Sequence, residues 1–230
     1  MHLLHPERLL ILMVGYFNNL ELIDKSNISI GIDLDHTIID YKNIFAEKAF
    51  SLGFIKTDSI MTKNEVKTVV TKLEDGEKKW GLLQVNVYSE GIYEASIMNG
   101  FPEFVKFCNK RKISLFIISH KTKTNPNDPL KRNLKNAALK WMTNNQFFES
   151  NGLGFNISHV FFNNSIDEKI SRIRSQNCNY FIDDLEKVLS NSAFPINTRK
   201  IIFLSNPLQT VDIDIDYSGN WWGITKYLMR

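Results

Sequence analysis

The chain has 230 residues, of which 43% are hydrophobic and 23% are charged; this composition is typical of a globular protein and excludes a disordered or collagen-like chain. Its 28 basic and 25 acidic residues leave a net charge of +3 at pH 7, which is too small to favour nucleic acid or an acidic membrane surface as a partner. Cys108 and Cys178 are far apart and form no metal-ligand or redox spacing. We therefore expect two reduced, buried thiols in a cytoplasmic protein.

The most apolar short run of the chain lies near its start, at residues 9–14. It is far shorter than the roughly 20 residues that span a bilayer. Asn18 and Asn19 follow it, where a signal peptide would have small residues at its cleavage site. We expect residues 1–26 to form a packed extension, and we expect no membrane partner.

Five apolar runs that are rich in β-branched residues predict five strands. Between and after them, apolar residues recur with helical spacing. The strands cover 28–34, 113–118, 159–162, 179–182 and 200–204, and the helical patterns cover 101–108, 130–141, 170–173 and 221–228. This alternation predicts an α/β, Rossmann-like fold with a parallel sheet and helices on both of its faces.

The segment between the first two strands breaks this alternation. Residues 41–95 contain no convincing strand, whereas Val66, Val70, Trp80 and Leu83 belong to helical apolar faces. We therefore divide the chain into a core, 1–42 and 95–230, and a small helical insertion, 43–94. The insertion follows the carboxyl end of a strand, where parallel sheets bind ligands, so it is a candidate lid.

Asp33 and Asp35 end the first predicted strand. At this spacing both side chains point to the same side of a strand, where burial and mutual repulsion raise their energy. A divalent cation would relieve the repulsion, and two carboxylates in unequal environments could act as nucleophile and as acid/base. The pair alone is equally compatible with a capping aspartate beside a solvated one.

Polar residues also follow the later strands. Ser119 and Lys121 follow the second strand, Lys169 lies near the start of the helix after the third, and Asp183 and Asp184 end the fourth. Each has an ordinary alternative, namely a turn serine, solvated lysines and a helix cap. Their occurrence together at the carboxyl ends of strands favours a site for a phosphate and a cation.

The order of these residues resembles the four motifs of the haloacid dehalogenase superfamily of phosphohydrolases. The motifs are Asp-x-Asp-x-Thr at 33–37, a strand ending in Ser119, then Lys169, and a strand ending in Asp183-Asp184. The resemblance implies a sheet of five core strands in the order 5-4-1-2-3, with a helical cap inserted between the first and second motifs. Asp33 and Asp183 would then face each other across the crevice where open α/β sheets bind ligands.

The resemblance implies catalytic roles for four residues. Asp33 would attack phosphorus and form an aspartyl-phosphate. Asp35 would protonate the leaving alcohol and later deprotonate water. Ser119 would hydrogen-bond the transferred phosphoryl group, and Lys169 would offset its charge and that of Asp33.

The resemblance also implies a Mg²⁺ cofactor. Asp33, the main-chain carbonyl of Asp35, and Asp183 would hold the cation, and Asp184 would support a water bound to it. Oxygen ligands together with a substrate phosphate suit Mg²⁺ better than zinc.

Substrate contacts depend on the lid and are less constrained by the sequence. Trp80 either faces the substrate or packs the core of the insertion; Tyr88 shares its helical face. His36, where many members of the superfamily have glycine, either projects toward the lid or fills a turn, and we expect the turn. The candidate substrate residues are Thr37, His120, Lys121, Trp80 and Gln84.

The acid at position 35 distinguishes between the chemistries of the superfamily. Its dehalogenase, phosphonate-cleaving and ion-pumping branches lack it, so Asp35 implies hydrolysis of a phosphate ester. A phosphomutase keeps this residue and remains an alternative, and a non-catalytic protein that binds a phosphorylated ligand is another. The expected partner is a small phosphorylated metabolite, with a sugar phosphate as one candidate; the oligomeric state is left open.

Overall fold

The structure, a computed structural model, describes residues 28–56, 61–126, 128–206 and 209–230. The predicted N-terminal extension lies outside the described residues. Within them, every helix is too short or too polar to cross a membrane.

The described residues form eight strands. They are β1 (Ser29–Ile32), β2 (Ile39–Asp40), β3 (Ser96–Ile97), β4 (Ser114–His120), β5 (Val160–Asn163), β6 (Tyr180–Asp183), β7 (Arg199–Phe203) and β8 (Tyr217–Gly219). Six of them form a parallel sheet in the order β5-β4-β1-β6-β7-β8, and β2 pairs with β3 in an antiparallel ribbon.

The predicted order of five core strands is confirmed, but the sheet has one strand more than predicted. Read from β7 to β5, the predicted strands occur as 5-4-1-2-3. The sixth strand, β8, extends the sheet beside β7. Its three residues, Tyr-Ser-Gly, are only partly buried and form no apolar run, so hydrophobic patterning does not reveal it.

Eight α-helices lie within the described residues. They are α1 (Ile44–Ser51), α2 (Lys63–Val70), α3 (Gly76–Ser89), α4 (Phe101–Lys110), α5 (Leu134–Asn144), α6 (Ile166–Ser175), α7 (Glu186–Leu189) and α8 (Trp221–Leu228). Helix α4 begins after Gly100, with Pro102 in its first turn as expected. Helix α5 begins later than predicted, because the Asn133 side chain caps it by accepting from Asn136 N. Leu130 lies outside the helix and is exposed.

The centre of the sheet is tightly packed around β1. All four residues of β1 are buried, as expected for a strand covered on both faces. A Cβ on Gly31 would lie 2.6 Å from the Phe181 ring, so a larger residue would not fit. The prediction of free, buried cysteines is confirmed for Cys108 and Cys178, and burial raises the pKa of each thiol to about 12.

Helices α1, α2 and α3 lie between β2 and β3. The pairing of Ile39 with Ile97 brings the two ends of this segment together. Its interior contains Phe45, Val66 and Leu83, all buried, and α3 packs against α5 of the remaining chain. We predicted that residues 41–95 contain no strand. The described part of this segment agrees with that prediction.

Candidate active site

Three of the predicted residues meet because their strands are neighbours in the sheet. Asp33 follows β1, Ser119 lies in β4, and Asp183 ends β6. The Asp33 amide donates to Ile182 O at 2.9 Å, which extends the pairing of β1 with β6 by one residue. All three side chains are buried. They lie at the carboxyl edge of the sheet, beside the strand reversal where such sheets bind ligands.

Lys169 links two of the predicted carboxylates. It lies in the second turn of α6, after the Ser165 cap, and is buried. Its ammonium donates to Asp33 Oδ1 at 2.5 Å and to Asp183 Oδ2 at 2.6 Å. Burial lowers the pKa of Lys169, but the two carboxylates outweigh this effect and hold the pKa above its ordinary value.

Asp33, Asp183 and Asp184 form an acidic cluster. Each offers a carboxylate oxygen within 4.8 Å of the others. Burial raises the pKa of Asp33 well above its usual range, and Asp183 and Asp184 add to the rise against the opposing charge of Lys169. Burial and Asp183 also raise the pKa of Asp184 to about 7. These oxygen donors suit a hard divalent cation such as Mg²⁺.

Asp35 has a different environment, although only Leu34 separates it from Asp33. The Lys121 ammonium lies 2.8 Å from Asp35 Oδ2, and the Tyr41 hydroxyl donates to Asp35 Oδ1 at 2.6 Å. Burial by itself raises the pKa of Asp35, but Lys121 and Tyr41 together bring it below the ordinary value. In this arrangement Asp35 is an ionised carboxylate, which is the form that accepts a proton.

Ser119 is the one candidate with a buried side-chain polar atom that has no hydrogen-bond partner among the described residues. Its Oγ is buried and makes no hydrogen bond. A buried hydroxyl in this state lacks a stabilising interaction that a bound group could supply. Ser119 lines the same cleft as Asp33 and Lys169, so an oxygen of a bound phosphate would satisfy it.

Most of the candidate residues line a cleft of about 440 Å³; of the catalytic and metal-binding candidates, only Asp183 is not among its lining residues. Of the predicted substrate residues, four line it: His120, Lys121, Trp80 and Gln84. Thr37 instead lies fully buried behind it, and its hydroxyl donates to Asp184 Oδ1 at 3.4 Å. The structure therefore places Thr37 as a support for the acidic cluster.

The residues on the insertion side have structural partners of their own. Trp80 is 6% exposed and stacks on Phe45, with ring centroids 5.5 Å apart, so most of its surface packs the core of the insertion. Gln84 hydrogen-bonds Tyr88 one turn further along α3. Lys121 lies 4.8 Å from the centroid of the Tyr88 ring, in addition to its ion pair with Asp35.

His36 combines both of the interpretations that the sequence left open. Its φ of 66° is the left-handed backbone of a turn. Its ring projects to α3, where Nε2 lies 3.1 Å from the Tyr88 hydroxyl. Burial, with a contribution from Lys63, lowers the pKa of His36 to about 3, so the imidazole is neutral.

Sequence reasoning missed two residues of this site, Tyr41 and Lys63. Tyr41 is buried and holds Asp35. Lys63, the first residue of α2, lines the cleft from the insertion. No spacing in the sequence marks either residue; the only local signal is the capping box of Thr62 and Glu65, which predicts the start of a helix at Lys63.

No family model and no curated protein matches the sequence. Solved structures match its fold. A haloacid dehalogenase-like hydrolase from Streptococcus pneumoniae is 14% identical, with a TM-score of 0.53 over 88% of this chain and 99% of that one. A HAD family hydrolase from Deinococcus radiodurans, with bound phosphate and sodium, is 10% identical, with a TM-score of 0.55 over 90% and 96%.

A third similar structure is a protein from Thermotoga maritima that is provisionally described as a beta-phosphoglucomutase. It is 13% identical, with a TM-score of 0.51 over 88% of this chain and 98% of that one. The chain therefore has the fold of the haloacid dehalogenase-like hydrolases, as the motifs predicted. At these identities the likeness concerns the fold, and function has to be argued from the site.

Proposed function

We propose that the protein is a Mg²⁺-dependent phosphatase that hydrolyses a small phosphorylated metabolite through an aspartyl-phosphate on Asp33. The observation that carries this proposal is the position of the Asp33 carboxylate. It lines a cleft, pairs with Lys169 and belongs to a cluster of three aspartates. A nucleophile, a cation site and a compensating ammonium are thereby available to one phosphoryl group.

The acidic cluster fits Mg²⁺ in the chemistry of its donors. Asp33, Asp183 and the main-chain carbonyl of Asp35 would hold the ion, with Asp184 in support. The raised pKa values of Asp33 and Asp184 reflect burial and repulsion, which a divalent cation would offset. When bound, Mg²⁺ neutralises charge on the cluster and on the phosphoryl oxygens.

In the first step Asp33 attacks phosphorus, and the ester P–O bond breaks. The leaving oxygen takes a proton from Asp35. In the second step Asp35 removes a proton from water, the water attacks phosphorus, and inorganic phosphate leaves as the Asp33 carboxylate is restored. Lys169 orients Asp33 and offsets charge throughout, and the Ser119 hydroxyl donates to a phosphoryl oxygen.

The pairing of Asp35 with Lys121 bears on its two roles. With Lys121 at 2.8 Å, Asp35 is suited to the second step, in which it accepts a proton. For the first step it must carry one. A phosphate dianion beside Lys121 competes with Asp35 for the ammonium, and this competition favours the protonated form.

The position of the insertion beside the cleft favours a small substrate. Lys63, Trp80, Gln84 and Tyr88, all from α2 and α3, line the cleft opened by the sheet edge. A cleft of about 440 Å³ suits a small molecule, and a helical cap over residues 43–94 would exclude bulk water during the reaction. A sugar phosphate is one candidate of this size.

A phosphomutase is the second candidate function. The similar Thermotoga structure favours it, and the same residues would serve, except that the aspartyl-phosphate would be transferred to a second hydroxyl of the substrate. A protein that only binds a phosphorylated ligand is less well supported, because binding alone requires neither a nucleophile nor an acid/base.

Hydrolysis of p-nitrophenyl phosphate, assayed with Mg²⁺ and with EDTA, tests the proposal. We expect turnover only with Mg²⁺. Asp33→Asn should lower kcat by about a thousandfold or more, because an amide cannot attack phosphorus. The control variant Asp75→Asn changes an exposed carboxylate outside the cleft and should keep wild-type activity.

Two results would contradict the phosphatase. The first is a folded wild-type protein that turns over no phosphate ester with Mg²⁺. This result would favour a non-catalytic protein that binds a phosphorylated ligand. The second is full activity of Asp33→Asn, which would remove Asp33 as the nucleophile. Isomerisation of a sugar phosphate without release of inorganic phosphate would favour the phosphomutase.

A further inference from the structure

Lysines outnumber carboxylates around the cleft. Five lysines and three aspartates line it: Lys63, Lys67, Lys121, Lys169 and Lys187, with Asp33, Asp35 and Asp184. The excess remains when the buried Asp183 is counted. A phosphate monoester carries roughly −1.5 to −2 charges at pH 7, about as much as a divalent cation would add. Positive charge is therefore left over after one phosphate has bound.

Three of the five lysines make no ion pair with the described residues, and Lys63 is the least exposed of the three, whereas the two buried lysines have anionic partners. Lys169 pairs with Asp33, and Lys121 pairs with Asp35. Within the described residues Lys63 makes no ion pair, and its ammonium lies 5.5 Å from the centroid of the Phe45 ring. The other two, Lys67 and Lys187, are exposed to solvent, and the Lys67 ammonium lies 6.0 Å from the Trp80 ring centroid.

The surroundings of Lys63 favour the arrival of an anion. Burial lowers its pKa, although Asp184, Asp35 and Asp33 oppose this effect from a distance. A partly desolvated ammonium without a close counter-ion is less stable than a fully hydrated one, and a charge-assisted hydrogen bond to an anion would stabilise it. Asn64, next to it, also lines the cleft and has an amide that can donate to the same anion.

The proposed anion-binding group is the Lys63 ammonium, because two of the amides at the start of α2 are already hydrogen-bonded within the chain. Thr62 N donates to Glu65 Oε2 at 2.7 Å, and Glu65 N donates to Thr62 Oγ1 at 3.3 Å. This capping box satisfies two amides at the start of the helix, those of Thr62 and Glu65. The Lys63 side chain comes from the insertion, whereas Ser119 and Lys169 come from the core. All three line the same cleft, so one bound molecule can contact Lys63 at one side and Ser119 and Lys169 at the other.

We propose that Lys63 forms a second anion subsite, and that the physiological substrate carries a carboxylate or a second phosphate in addition to the phosphate that is removed. The inference rests on the proposed function for its placement of the scissile phosphate at Asp33, Ser119 and Lys169. It narrows the substrate class from any small phosphate ester to doubly anionic ones.

Two matched pairs of substrates test the subsite. 3-Phosphoglycerate differs from glycerol 3-phosphate in having a carboxylate in place of a hydroxymethyl group, and glucose 1,6-bisphosphate differs from glucose 6-phosphate in having a second phosphate. We expect kcat/KM to be about 10- to 100-fold higher for the doubly anionic member of at least one pair, as for a charge-assisted hydrogen bond. The pair with the larger ratio identifies the second anion as carboxylate or phosphate.

Variants of Lys63 assign that preference to its ammonium. Lys63→Met should bring the ratio within a pair close to one, and Lys63→Arg should retain most of it. The control Lys72→Met removes the same charge from an exposed position outside the cleft and should leave the ratio unchanged. An equal loss for both members of a pair in Lys63→Met would place Lys63 on the shared phosphate and overturn the subsite.

A binding measurement separates the subsite from catalysis. Phosphonoacetate and methylphosphonate differ by one carboxylate, and neither has a P–O–C ester bond for a phosphatase to break. With Mg²⁺ present, calorimetry should show about tenfold tighter binding of phosphonoacetate to the wild type and to Lys72→Met, and no preference in Lys63→Met.

The two measurements distinguish the two proposals. Selective binding without turnover of any ester would leave the subsite and overturn the phosphatase. Turnover of p-nitrophenyl phosphate with no preference in either pair and none between the phosphonates would leave the phosphatase and overturn the subsite.

Discussion

Asp33 and Asp35 illustrate how neighbouring residues acquire different chemistry. The pKa of Asp33 is raised, because burial and two further aspartates outweigh Lys169. The pKa of Asp35 is lowered, because Lys121 and Tyr41 outweigh burial. Pairs of carboxylates whose environments separate their pKa values are typical of sites that divide the roles of a reaction. At the scale of single residues, we therefore expect Tyr41, whose hydroxyl donates to Asp35, to position that carboxylate for its proposed role.

Substitution of Tyr41 by Phe tests this role. The change removes the 2.6 Å hydrogen bond to Asp35 Oδ1 and keeps the ring, which packs on Phe45 and Tyr88. We expect kcat for p-nitrophenyl phosphate to fall about tenfold, the equivalent of roughly 1.4 kcal/mol, with little change in KM. Steady-state kinetics measure the two constants separately.

The control is Tyr93→Phe, at an exposed tyrosine; it should retain the wild-type kcat. The melting temperature and the amount of folded protein are measured for Tyr41→Phe as well. If the loss of activity is fully explained by a loss of folded protein, the role of Tyr41 is purely structural.

At the scale of elements, the segment between β4 and α5 connects the core to the insertion. Arg132 donates to Asp128, and its Nη1 also donates to Glu90 Oε1 at 2.9 Å and to Asn86 Oδ1 at 3.2 Å. Asn86 belongs to α3, the helix that carries Gln84 and Tyr88 into the cleft. The chain that follows Ser119 and Lys121 is thereby joined to the helix that faces them.

Asp128 makes the stability of this connection depend on pH. Its carboxylate accepts from the Arg132 side chain and from the amides of Arg132 and Leu130. The Arg132 side chain, followed by the backbone amides, holds the pKa of Asp128 below its ordinary value despite the cost of burial. A lowered pKa stabilises the folded state above the unfolded-state value of about 3.9, and this contribution is lost as the pH falls through the folded-state pKa.

We therefore expect Asp128→Asn to be less stable than the wild type by about 1 to 3 kcal/mol at pH 7. The difference should begin to shrink near pH 4 and vanish once Asp128 is protonated in the folded wild type. Urea unfolding or melting temperatures from pH 7 down to pH 3 measure it. The exposed Asp212→Asn is the control. A deficit of the same size at pH 3 as at pH 7 would contradict the assignment.

At the scale of the whole molecule, the acidic cluster joins two central strands of the sheet. Asp33 follows β1 and Asp183 ends β6, and Lys169 bridges them from α6. The cluster therefore lies where the two halves of the sheet meet. Ligand binding there should stabilise the fold globally, since a ligand that binds only the folded state shifts the unfolding equilibrium.

Mg²⁺ should raise the melting temperature by roughly 5 to 10 °C when its concentration is about a hundred times its Kd, which corresponds to about 2.7 kcal/mol. EDTA should reverse the shift. Asp183→Asn should abolish most of it, because this change removes a proposed ligand from the cluster. Differential scanning fluorimetry measures the shift, with NaCl at equal ionic strength as the control. An equal response of the wild type and Asp183→Asn would exclude the cluster as the Mg²⁺ site.

Much of the architecture follows from patterns within short stretches of the sequence. Apolar runs determine the five core strands, and residues at their carboxyl ends must converge once those strands are parallel neighbours. Asp33, Ser119 and Asp183 could be grouped for that reason. The three-residue β8 could not be predicted, because it has no apolar run. It is an edge strand that pairs only with β7.

By itself, the sequence determined which residues lie at the ends of the core strands, because apolar runs mark those strands. The order of the strands was implied by the resemblance of the four motifs to the haloacid dehalogenase superfamily, and hydrophobic periodicity does not contain it. The pairing of Lys169 with Asp33 was implied by the resemblance, but only the tertiary structure decided which other charges are neighbours. Lys121 reaches Asp35 across 86 residues, and Lys63 reaches the cleft from the inserted helices. Such contacts depend on the path of loops and the packing of helices, which set burial and therefore set which charges are neutralised and which remain available to a ligand.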